Sequence, residues 1–146
     1  MLHPRLTNNH VQPGATTQQI QYLETALQHT LPDSLRAFLT ATNGYEGTCG
    51  QWGFVIYSTQ DVLDLHQQAA ADLPNKVYQF GGDGGLEIFL LDMRSAVPQM
   101  GITDAIEGEE GFRALGATLD EFIENYYQTS LHGFTFAQSL SLGNKK

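Results

Sequence analysis

The stretch Lys76-Val77-Tyr78-Gln79-Phe80-Gly81-Gly82-Asp83-Gly84-Gly85-Leu86-Glu87-Ile88-Phe89-Leu90-Leu91-Asp92 decides how the rest of the chain must fold. Two apolar runs, Val77 to Phe80 and Leu86 to Leu91, flank a five-residue segment that is glycine at every position but Asp83. Glycine reaches positive φ without steric cost, so this composition favours a chain reversal and predicts a β-hairpin over about 77–92. Ile88, Phe89, Leu90 and Leu91 leave no polar face, the pattern of a strand covered on both sides. The hairpin should therefore sit centrally in its sheet.

Upstream, Val62, Leu65 and Ala69 recur on one face and predict a helix over about 60–72, capped by Ser58 or Thr59 and stopped by Pro74-Asn75. Before it, Trp52-Gly53-Phe54-Val55-Ile56-Tyr57 reads as a strand, and Tyr45 to Gly50, in a glycine-rich segment, as a loop. Leu35, Phe38 and Leu39 form the buried face of a helix over about 33–42 that Pro32 starts and Asn43-Gly44 caps. Ile20, Leu23, Leu27 and Leu31 form one stripe of a helix over about 17–31, opened by a capping box at Thr16-Thr17-Gln18-Gln19. Residues 1–10 read as a loosely held leader.

Downstream, Met93 to Ile102 is broken by Pro98 and Gly101 and reads as one edge strand. An acidic loop follows from Asp104 to Gly111. Thr118-Leu119-Asp120-Glu121 is a second capping box, and Leu119, Phe122, Ile123, Tyr126 and Tyr127 give a last helix, over about 119–128, its apolar face. The fold class is α+β: one domain over about 11–128, with a mostly antiparallel sheet packed against these helices and a tail at 129–146.

The 146 residues carry a formal net charge of -9. That charge disfavours nucleic-acid phosphate and anionic lipid as partners, and favours a basic protein. The excess lies in the second half, where from Val77 to Asn144 only Arg94 and Arg113 oppose Asp83, Glu87, Asp92, Asp104, Glu107, Glu109, Glu110, Asp120, Glu121 and Glu124. No apolar run approaches the roughly 20 residues that span a bilayer, the single Cys49 has no internal disulfide partner, and no signal-peptide pattern opens the chain. A cytoplasmic location is the simplest expectation.

Several segments together resemble the SUKH superfamily, the Smi/Knr-type domain. They are Pro13-Gly14-Ala15-Thr16 leading into Ile20 and Leu23, Leu31-Pro32-Asp33-Ser34-Leu35 running to Asn43-Gly44, Phe80 to Gly85 before an apolar strand ending at Asp92, and the closing helix Leu119 to Tyr127. The resemblance implies a non-enzymatic protein without cofactors. Bacterial members resemble immunity proteins that neutralise a cognate polymorphic toxin, often a nuclease, as in contact-dependent inhibition; fungal members are regulatory proteins tied to cell-wall synthesis.

Candidate sites follow from the residues themselves. A glycine-rich turn can cradle phosphate, but such loops lead into a helix, whereas Leu86 onward reads as strand. Asp83, Glu87 and Asp92 lack the spacing of a calcium loop, as does Asp104 to Glu110, and no metal site is expected. Cys49 with His3, His10, His29, His66 or His132 has no catalytic motif context. Tyr45 and Trp52 are either core aromatics or interface anchors. The acids Glu46, Asp83, Glu87, Asp104, Glu107, Glu109 and Glu110 are either a solvated face or, as the resemblance implies, a toxin-binding surface that steers a basic partner.

Overall fold

The computed structural model describes residues 3–69, 73–104 and 106–132, which form four α-helices and one antiparallel sheet. In chain order the elements are β1 (Leu6–Val11), α1 (Thr17–Leu27), α2 (Asp33–Ala41), β2 (Tyr45–Cys49), β3 (Trp52–Ile56), α3 (Thr59–Ala69), β4 (Val77–Gly82), β5 (Glu87–Asp92), β6 (Gln99–Asp104), a 3-10 turn (Gly108–Gly111), β7 (Arg113–Gly116) and α4 (Leu119–His132). The seven strands lie side by side in the order of the sequence, each antiparallel to the next. This meander curls into a half-barrel against the helices, and the architecture is a single-domain α+β fold.

The helix ends follow side-chain capping. Thr16 Oγ1 accepts from the Gln19 amide at 3.0 Å while Gln19 Oε1 accepts from the Thr16 amide at 2.8 Å, completing the first capping box. At α4, Thr118 Oγ1 accepts from the Glu121 amide at 3.1 Å, but the Glu121 carboxylate reaches one residue further back, to the Ala117 amide at 2.9 Å. Asn43 does not cap α2. Its Oδ1 accepts from the Thr59 amide at 2.8 Å at the start of α3, beside Ser58, whose Oγ accepts from Asp61.

The core joins one sheet face to the helices. Phe54, Phe80 and Phe89 from β3, β4 and β5 meet Phe122 and Tyr126 from α4, and the ring centroids of Phe89 lie 5.0 Å from Phe122 and 5.1 Å from Tyr126. These rings are almost wholly buried, so apolar area and edge-to-face contacts hold α4 on the sheet. Gly84, at φ +87°, makes the reversal between β4 and β5, and that hairpin is central as its sequence predicts: β4 is the fourth of seven strands, and Phe89, Leu90 and Leu91 are all buried.

Four details differ from the sequence reading. Residues 6–11 pair with β2 where a loose leader was expected, because an edge strand needs backbone bonds on one side only and no apolar alternation. Arg5 ties the same segment to α4 through Glu124, at 3.1 Å, and lies 4.2 Å over the Tyr127 ring. Tyr45 to Cys49 is strand β2, hidden by its glycines. The expected edge strand over 93–102 is β6, shifted to Gln99–Asp104 and paired on both sides, since Arg113–Gly116 adds a seventh strand. Gly101 reads as a breaker, but a Cβ there would stand 2.2 Å from the Arg113 carbonyl oxygen, so the glycine is what lets β7 approach.

Two helices also end elsewhere. The first stops at Leu27, where Gln28 turns left-handed at φ 60°, yet Leu31 stays buried in the connection. The last continues to His132 and buries Thr129 and Ser130, which the sequence reading assigned to the tail; residues 133–146 lie outside those described.

Candidate interaction surface

An antiparallel meander places every second connection at the same end of its sheet. The β2–β3 turn, the β4–β5 turn and the exit of β6 therefore share one end. The register fixes their alignment: Cys49 faces Trp52, Val55 faces Gly82, and Glu87 faces Asp104. Asp83, Glu87, Asp104 and Glu107, separate in sequence, are thus gathered by strand pairing.

Two of these carboxylates build the turns they stand in. Asp83 Oδ1 accepts from the amides of Gly85, at 2.7 Å, and Glu87, at 3.2 Å. Asp104 Oδ1 accepts from Ile106, at 2.7 Å, and Glu107, at 2.9 Å. A short side chain that accepts from amides two and three or four residues on closes the turn locally, which is why aspartate stands at both positions.

Glu87 has a different environment. Its Oε2 lies 4.0 Å from Arg113 Nη2, while its Oε1 is buried without a hydrogen-bond partner. Burial raises its carboxyl above the usual range; Arg113 opposes the shift, and the charges of Asp83, Asp104 and Glu107 add to it. Burial and these acids together outweigh Arg113. Leu86 and Ile106, in the same two turns, are 64% and 81% exposed.

The remaining predicted residues divide. Trp52 sits at this end, half-buried, with its ring edge-on to Tyr126 at 5.5 Å. Glu110 is exposed in the 3-10 turn that follows Glu107; the side chain of Glu109 lies outside those described. Tyr45 is a core residue, 2% exposed and edge-on to Phe38, so it is not a surface anchor. Glu46 is exposed on β2 and faces Val55, which in turn faces Gly82, so it lies level with the start of the Asp83 turn but two strands away, roughly 10 Å. The structure therefore brings five acids and Trp52 together and leaves Tyr45 and Glu46 apart.

Other chemistries find little to work with. Cys49 is fully buried and its thiol is pushed up to about 12 by desolvation, so it is protonated at neutral pH and out of reach of a substrate. The Gly81–Gly85 segment enters strand β5, not a helix, and offers no helix N-terminal amides to a phosphate. A cleft of about 290 Å³ between α3 and β4 is lined by Leu65, His66, Pro74, Lys76, Val77 and Tyr78 among others. Its described lining carries no carboxylate, and the Tyr78 hydroxyl is committed to the Leu27 carbonyl at 3.0 Å. Among the described residues no group of three or more His, Cys, Asp or Glu is placed to hold a metal ion, and no helix is long and apolar enough to cross a membrane.

The SMI1 / KNR4 family (SUKH-1) is matched by residues 14–125, and no curated protein matches the sequence. That span runs from the turn before α1 to the middle of α4, and includes all of β2 to β7. The chain belongs to the SMI1/KNR4 (SUKH-1) family.

Proposed function

We propose that this SUKH-1 chain is a non-enzymatic immunity protein that binds a cognate polymorphic toxin, a basic nuclease-type domain, and neutralises it by occlusion. The observation that carries the reading is the gathering of Asp83, Glu87, Asp104, Glu107 and Glu110 at one end of the sheet in a chain of net charge -9. A nuclease presents cationic side chains to the phosphates of its substrate, and an acidic surface both steers association with such a site and competes for it. No cofactor is needed for inhibition of this kind. The site of action is the cytoplasm, where a nuclease meets its substrate.

The test is co-expression with the product of the adjacent gene, followed by affinity capture and a growth assay. A tight complex and restored growth support the immunity reading. Absence of both moves the chain to the family's other role, a regulatory scaffold that binds a host protein.

A further inference from the structure

Leu86 and Ile106 are large aliphatic side chains standing in solvent, and their position is not random. Each lies in a turn closed by an aspartate, Asp83 for the first and Asp104 for the second. The Glu87–Asp104 pair sets those turns side by side, with Leu86 one residue beyond the pair on its strand and Ile106 two residues beyond on the other. Single exposed apolar side chains are ordinary, as Tyr22 on α1 and Val97 between β5 and β6 illustrate. Two in adjoining turns, bordered by Asp83, Glu87, Asp104 and Glu107, form an apolar centre with a charged rim.

We infer that Leu86 and Ile106 are the apolar anchors of the partner-binding surface, seated in an apolar depression of a basic protein whose lysines and arginines meet the surrounding carboxylates. The inference rests on the immunity reading and assigns the anchoring energy within it. Charge complementarity selects the occupant. A second copy of this chain would have to bring these acids against their own images, which costs free energy at any ionic strength low enough to leave them unscreened. A basic partner gains from the same rim. Buried apolar anchors govern the rate at which such complexes separate, while rim charges govern the rate at which they form.

The probe is the product of the adjacent gene, assayed by surface plasmon resonance against wild type, the double variant Leu86→Ser/Ile106→Ser, and Tyr22→Ser as a remote control. The double variant is expected to dissociate at least tenfold faster with little change in association rate, and Tyr22→Ser to match wild type. Because both anchors are exposed, the variant's thermal unfolding midpoint should stay at the wild-type value, which separates lost anchoring from lost folding. Wild-type binding with unchanged dissociation of the double variant overturns the anchors and leaves the immunity reading standing. No binding by wild type removes that reading and the surface with it. A homodimer in sedimentation that the double variant dissolves also overturns the inference, since the apolar pair would then serve a second copy.

Discussion

Strand β5 carries both halves of this molecule within three residues. Phe89 lies at the centre of the aromatic cluster, while Glu87, on the same face of the strand, ends in a field of carboxylates with one oxygen buried and unpartnered. At Phe89 every neighbour favours the buried state; at Glu87 burial and three nearby acids oppose the charge that Arg113 partly offsets. The contrast teaches that cohesion and recognition divide along one strand, so substitutions can remove either without the other.

The sharpest way to break that division is Phe89→Ala. Removing a fully buried ring from contact with Phe54, Phe80, Phe122 and Tyr126 should cost about 3–5 kcal/mol, measured by denaturant unfolding, and should release α4 from the sheet. Asn43→Ala removes the side chain that receives the Thr59 amide at the start of α3, at a cost of about 1 kcal/mol by the same measurement. A loss near the Phe89 value would show that Asn43 also holds the β2 approach.

Glu87→Gln should move stability slightly the other way. The folded carboxyl titrates above its unfolded value, so wild type is relatively favoured below the unfolded pKa and loses that advantage as pH rises through the folded one. The variant should therefore melt higher than wild type at neutral pH, with the difference closing as both become neutral in acid. Asp92 has the opposite sign: its hydrogen bonds with Arg94 hold it below the usual carboxylate range, and its contribution is lost as pH falls. A wild type more stable than Glu87→Gln at pH 7 would mean that Arg113 outweighs burial. The smallest effect on stability is expected from Glu107→Lys with Glu110→Lys, which should leave unfolding unchanged yet slow association with a basic partner several-fold at low salt.

The core half was largely legible in the sequence. Ile20, Leu23, Phe38, Leu39, Phe122, Ile123 and Tyr126 declare themselves by helical spacing, and Gly84 and its neighbours mark the central reversal. Strands β1, β2 and β7 were not legible, because their partners are remote or their glycines serve close approach; Gly101 signals β7 only once the strand beside it is known. The candidate surface was legible as charge but not as shape. That Glu87 faces Asp104 is a fact of register, and Glu46, level with Gly82 by the same ladders, is held apart by the two strand spacings from β2 to β4. Tyr45 and Trp52 looked alike in sequence, yet alternation along β2 turns Tyr45 to the core, while Trp52 stands half-buried at the start of β3.

The order of strands has a consequence for synthesis. Each strand from β2 onward pairs with one already made, and where a turn alone joins the strands, as in β2–β3 and β4–β5, the ladder closes with little chain to search. The aromatic cluster cannot close that way, for Phe122 and Tyr126 arrive last, on α4. A chain that stops before Leu119 lacks both rings, and Phe54 and Phe89 lose the helix that covers them. One helix thus closes the core of a sheet whose ladders form without it.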